Sequence, residues 1–72
     1  MLPRQYDIVE LLREVINLGV PIPTGTKGTI VELHGNPTEA YMVEFDHESF
    51  GKSFLCDLSL SQFKIVERFE KA

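Results

Sequence analysis

The chain has 72 residues, which is enough for one domain around a small hydrophobic core. Eleven acidic residues against seven basic ones give a net charge of −4, and this balance is atypical of nucleic-acid binders, which neutralise phosphates with basic surfaces. A single cysteine excludes an internal disulfide, and the chain shows neither a signal-peptide pattern nor an apolar run of membrane-spanning length. We therefore expect a cytoplasmic protein that does not associate with membranes.

The segment from Asp7 to Leu18 supports two interpretations. Apolar residues recur there at helical spacing, which favours an amphipathic helix closed by Gly19. The run from Ile8 to Leu12 also suits a strand that is buried on both faces. Because a fifth strand would remove the exposed edges of a small sheet, we expect a strand here, with the helix as the alternative.

Turn and strand signals alternate along the rest of the chain. Pro21 and Pro23 exclude a helix, so residues 19–25 predict a long, irregular first loop. The glycines of the following turn, Gly25 and Gly28, are expected to relieve backbone strain. Residues 29–33 and 40–45 are rich in β-branched and aromatic residues, and they predict a β-hairpin around a turn at 35–37.

The last third of the chain predicts two further strands. A polar turn at residues 46–52 precedes a strand at 53–58, and residues 59–62 suit a short 3-10 turn. A final strand covers residues 63–68, and the chain is expected to fray from Phe69 onward. Together these elements predict a single all-β domain over residues 1–72, a five-stranded SH3-like barrel with its core at about residues 6–68.

Four motifs occur in an order that resembles a known family. They are the stretches DIVELL at residues 7–12, GTKGTIVE at 25–32, YMVEF at 41–45 and LSLSQFKIV at 58–66. Together they resemble the small bacterial family called domain of unknown function 4926, over roughly residues 6–67. The resemblance implies an SH3-like barrel whose first strand is residues 7–13, and it implies no established activity.

No group of residues predicts catalysis or a cofactor. The stretch from Gly25 to Thr29 lacks the spacing of a phosphate-binding loop, and a strand follows it instead of a helix. His34, His47 and Cys56 lack the paired spacing of metal ligands. Cys56 lies in an apolar strand beside Asp57, which predicts a buried structural cysteine. We therefore expect no enzyme activity, no metal and no cofactor.

Binding of another protein is the remaining function. Several apolar residues exceed what so small a core requires: Tyr6, Ile16, Leu18, Val20, Ile22, Tyr41 and Phe50. From these we predict a protein-binding surface with anchors Val20, Ile22 and Phe50 and an acidic rim at Asp46 and Glu48. Its partner would be a basic protein, as for an adaptor, a regulator, or an antitoxin- or immunity-like protein. The alternative is that the loop and Phe50 complete the core.

Two other binding modes stay open. The turn at residues 25–29 resembles the loop of KOW-type modules, which predicts an RNA- or ribosome-associated protein with Lys27 as its contact. The acidic charge makes nucleic acid the less expected partner. A homo-oligomer joined through sheet edges or through the apolar loop is the third possibility.

Overall fold

The computed structural model describes residues 2–46 and 53–70, which form seven β-strands and one 3-10 turn, with no α-helix among them. The prediction of an all-β chain is therefore confirmed, and so is the short turn before the last strand. The elements are β1 (Ile8–Leu11), β2 (Val15–Asn17), β3 (Val20–Ile22), β4 (Lys27–His34), β5 (Ala40–Asp46), β6 (Ser53–Leu58), the 3-10 turn (Leu60–Gln62) and β7 (Phe63–Glu67).

The contested first segment is a strand, so the helical alternative is wrong. Strand β1 alternates in burial, with Val9 and Leu11 in the core, and it pairs antiparallel with both β4 and β7. The chain then turns at residues 12–14, and Val15 begins a separate strand that returns to the core. The helical spacing therefore arises from two short strands, each of which supplies apolar residues to the same core.

The first loop is a β-hairpin rather than an irregular segment. Strands β2 and β3 pair antiparallel, with Val15 opposite Ile22 and Ile16 opposite Pro21. The first pair is buried in the core, whereas the second pair faces outward. A proline is tolerated in β3 because a two-stranded hairpin leaves one edge of each strand free of ladder hydrogen bonds. Proline content alone therefore gave the wrong expectation for this segment.

The other five strands form one antiparallel sheet in the order β6-β5-β4-β1-β7. The sheet is not closed, since no ladder joins its two edge strands, β6 and β7, in the described chain. It is nevertheless strongly curled. The rings of Tyr41 on β5 and Phe63 on β7 are 5.5 Å apart, although three strand spacings of about 4.8 Å would separate these strands in a flat sheet. Curling brings one face of all five strands, together with the hairpin, around a single core.

The two glycines of the turn before β4 serve different purposes. Gly25 has a φ of 88°, a backbone conformation that residues other than glycine rarely adopt. Gly28 has no positive φ, but a Cβ atom there would lie 2.7 Å from Val43 Cγ1 and 2.8 Å from Phe45 Cδ1. The expectation of strain relief thus holds for Gly25, whereas Gly28 is required by close packing of β4 on β5.

A buried carboxylate joins the two ends of the described chain. Asp7 has no exposed surface, and Arg68 Nη1 donates to its Oδ2 at 2.9 Å. The backbone amides of Arg4 and Phe69 donate to the same carboxylate at 2.9 and 3.0 Å. Burial acts to raise the pKa of Asp7, but the two amides and the Arg68 guanidinium outweigh it and hold that pKa below its usual value. Phe69 is therefore fixed in place, contrary to the expected fraying.

Candidate functional site

The tip of the β2–β3 hairpin carries the most exposed apolar side chain on the described surface. Leu18 and Gly19 form the two-residue connection, with φ values of 51° and 80°. Positive φ at both positions is the pattern of a type I′ turn, in which asparagine followed by glycine is usual. Leucine is unfavourable there, and its side chain is 96% exposed. Nothing in the local fold thus explains a leucine at this position.

The hairpin presents further apolar surface beside Leu18. Ile16 is 67% exposed and Val20 is 38% exposed, and we call Ile16, Leu18 and Val20 the hairpin surface. Asn17 Nδ2 donates to the Leu55 carbonyl at 3.4 Å, which places the end of the hairpin beside strand β6. Ile16 lies on the outer face of the hairpin, whereas Val20 lies on the inner face near the tip, and Ile22 anchors that inner face in the core. The hairpin surface is therefore apolar and held on a fixed base.

Carboxylates line the outer face of the sheet next to the hairpin. Glu44 is the Cα partner of Leu55 across β5 and β6, and Asp57 occupies the same face of β6 two residues further along. Both side chains are exposed, as is Asp46 at the end of β5. An acidic surface therefore borders the strand against which the hairpin lies, and we call Glu44, Asp46 and Asp57 the acidic rim.

The binding residues predicted from the sequence are placed differently by the structure. Val20 is exposed on the hairpin and Asp46 belongs to the acidic rim. Ile22 has 0% exposure, so its inclusion as a surface anchor is wrong, because the hairpin directs it into the core opposite Val15. Glu48 and Phe50 lie outside the described residues. Among the other apolar candidates, Tyr41 is also a core residue.

The sequence prediction missed the main anchor for an identifiable reason. In the sequence Leu18 is one of seven surplus apolar residues, and the nearby prolines indicate an irregular loop. The available signal was spacing, since residues 15–17 and 20–22 are two three-residue runs separated by a two-residue connection that contains a glycine. Such spacing predicts a tight hairpin, whose tip is necessarily exposed.

Lys27, the predicted RNA contact, lies in an acidic setting. It lines a groove of about 340 Å³ on the outer face of the sheet together with Glu44 and Asp46. A phosphate that approached Lys27 would also approach these two carboxylates, which oppose its binding. The geometry around Lys27 therefore gives no support to an RNA interface.

The potential metal ligands and the thiol show no built site. Residues 2–46 and 53–70 contain no group of three His, Cys, Asp or Glu side chains placed to hold a metal ion, and His47 lies outside these ranges. Cys56 is buried, as its strand position predicted. Burial and the neighbouring Asp57 raise the pKa of the Cys56 thiol, which disfavours the reactive thiolate.

Comparisons with known proteins were negative. No protein-family model, curated protein or solved structure matches this chain. Within the described residues, no helix has the length and apolar character needed to cross a membrane. The surface geometry is therefore the basis from which a function can be inferred.

Proposed function

We propose that this chain is a non-catalytic protein-binding module, a small adaptor or regulator that docks through the hairpin surface. The observation that carries the proposal is Leu18, an almost fully exposed leucine held at positive φ on the tip of a rigidly based hairpin. Leucine in this backbone conformation costs about 1–2 kcal/mol, and at this exposure little packing offsets that cost. A strained residue without a folding role is a reason to infer a binding role.

The surroundings of the hairpin define the partner by its chemistry. Leu18, Ile16 and Val20 would fill an apolar depression on the partner, as anchor residues do at protein interfaces. The acidic rim would face basic residues, which accelerate association and select the partner. A basic protein that acts on nucleic acid has this chemistry, so an antitoxin- or immunity-like role is the specific form that we propose.

We also propose that the fold is a variant of the SH3-like barrel. Three features support this assignment: the strand order β6-β5-β4-β1-β7, the hairpin inserted between β1 and β4, and the 3-10 turn immediately before β7. The contact between Tyr41 and Phe63 supports barrel-like curling of the open sheet. Membership of the family called domain of unknown function 4926 belongs to the same proposal and depends on the sequence motifs.

Substitution of Leu18 by asparagine tests the function directly. Asparagine suits the left-handed turn position, so Leu18→Asn is expected to raise the free energy of unfolding by about 1 kcal/mol, measured by urea denaturation. The same substitution removes the apolar anchor. The partner would first be identified by nuclease-treated affinity capture from the native lysate, and then titrated against each variant by calorimetry.

Leu60→Asn is the matched control, because Leu60 is a half-exposed leucine on the 3-10 turn, an element other than the hairpin. We expect Leu18→Asn to weaken binding at least tenfold, since anchor truncations cost about 2 kcal/mol or more, and Leu60→Asn to leave it unchanged. Unchanged affinity in a correctly folded Leu18→Asn variant would refute the hairpin as the docking element.

A further inference from the structure

A pair of aromatic rings lies exposed where the two ends of the chain meet. The rings of Tyr6 and Phe69 have centroids 5.4 Å apart and planes at 70°, so they form an edge-to-face pair. Tyr6 is 47% exposed and Phe69 is 50% exposed. Two open grooves, of about 570 and 450 Å³, share this pair as a common wall. The rings thus form a ridge between two grooves instead of filling the core.

Backbone contacts hold both rings in position. Tyr6 has a φ of 74°, inside a turn closed by a hydrogen bond of 3.2 Å from the Asp7 amide to the Arg4 carbonyl. Its own amide donates to the Ile30 carbonyl, while the amide of Phe69 donates to the Asp7 carboxylate. Tyrosine at positive φ is a steric outlier, and such outliers concentrate at binding sites. The ridge is therefore preorganised.

The charges around the larger groove favour a cation. Glu67, Arg68 and Glu70 line this groove together with the aromatic pair. The Arg68 guanidinium is already engaged, since its Nη1 donates to the Asp7 carboxylate and to the Leu2 carbonyl, both at 2.9 Å. Once Arg68 is paired with Asp7, the carboxylates of Glu67 and Glu70 give the described lining of the groove an acidic balance.

We propose that the larger groove binds a guanidinium group, either an arginine side chain of a protein or a free alkylguanidine. A guanidinium is planar and weakly hydrated, so it stacks on aromatic faces, and its parallel N–H groups match carboxylates. Tyr6 and Phe69 supply the faces, while Glu67 and Glu70 supply the charge. None of the described residues that line this groove belongs to the hairpin, so this site is distinct from the hairpin surface and does not depend on the proposed function.

Tyrosine fluorescence can report on this site directly. The chain has two tyrosines and no tryptophan, and Tyr41 is buried, so a Tyr41→Phe background leaves Tyr6 as the reporter. N-acetyl-arginine amide is titrated into this protein, with the isosteric neutral probe N-acetyl-citrulline amide in parallel. We expect a saturable change with the arginine probe and none with the citrulline probe.

Variants then separate the contribution of the aromatic rings to arginine affinity from the contribution of the carboxylates. Phe69→Leu removes one aromatic face but keeps the amide that binds Asp7, and it should weaken arginine binding by about two- to fivefold. Replacing Glu67 and Glu70 together by glutamine should weaken binding further and reduce its dependence on salt. The matched control replaces Glu14 and Glu39, two exposed carboxylates outside the groove lining, by glutamine with the same change in net charge.

The results distinguish the two possible sources of the guanidinium group, and they can also refute the proposed site. Tighter binding of an arginine-centred pentapeptide than of free agmatine would assign the site to a protein side chain, and the reverse order would assign it to a small alkylguanidine. Equal responses to the arginine and citrulline probes would overturn the proposal, as would equal losses in the groove and control variants. Circular dichroism of each variant would confirm that it remains folded.

Discussion

The buried Asp7 carboxylate gives the sharpest test of what holds this fold together. Asp7→Asn keeps the side-chain size but removes the charge, leaves Arg68 without its counter-ion, and places an NH₂ group among three N–H donors. Breaking a buried ion pair from one side costs about 3–5 kcal/mol. The Arg68 side chain remains 23% exposed, so we expect a loss of unfolding free energy at the lower end of this range, about 3 kcal/mol. A 72-residue chain has a total stability of roughly 4–11 kcal/mol, so this loss is a large fraction of the whole.

Urea denaturation followed by circular dichroism measures this loss against an internal control. Glu10 forms the other ion pair of the described chain, with Lys64 Nζ at 3.8 Å and more than half of the Lys64 side chain exposed. Glu10→Gln should therefore cost no more than about 0.5 kcal/mol. If Asp7→Asn lost less than about 1 kcal/mol, or no more than Glu10→Gln, the reasoning that makes Asp7 the junction of the chain ends would be refuted.

Two further predictions concern pH and the hairpin. Because the pKa of Asp7 is lower in the folded than in the unfolded chain, its contribution to stability is complete above about pH 4 and is lost as the pH falls toward the folded value. The urea midpoint should thus fall between pH 5 and pH 2 more steeply in the wild type than in Asp7→Asn, and parallel curves would contradict this. Ile22→Ala should cost about 2–5 kcal/mol because it leaves a cavity in the core, whereas Val20→Ala should cost less than about 1 kcal/mol. Equal losses in these two denaturation experiments would contradict the burial of Ile22 in the core and the partial exposure of Val20 near the hairpin tip.

The strands were predictable wherever alternation and turn signals agree. Residues 40–45 alternate between buried side chains and side chains that are partly or fully exposed, as their sequence pattern indicates. Periodicity failed at residues 8–16, because two short strands that share a core can imitate one helical stripe. What distinguishes a strand from a helix here is the need to cover the edges of the sheet, which is a tertiary property rather than a local one. Proline content gave the wrong prediction at Pro21. Proline is excluded from the interior strands of a sheet, but an isolated two-stranded hairpin tolerates it.

The binding surfaces were harder to predict than the strands. The sequence shows which residues are apolar, but only the pairing of Val15 with Ile22 shows that Ile22 faces inward and that Leu18 occupies the tip. The contact of Tyr6 with Phe69 joins residues from opposite ends of the sequence, and no local pattern anticipates it. The sequence gives no sign that Asp7 is buried, because its three donors come from backbone and side-chain groups that only folding brings together.

The position of β1 in the sheet has a consequence for synthesis of the protein. Strand β1 is made before the other described strands, yet it lies between β4 and β7. One edge of β1 can pair as soon as β4 has been made, but its other edge waits for residues 63–67, and Asp7 waits for residues 68 and 69. A nascent chain without these residues presents an unpaired strand edge, which is a template for pairing with other chains. Synthesis of residues 63–69 thus covers a strand that was made long before them.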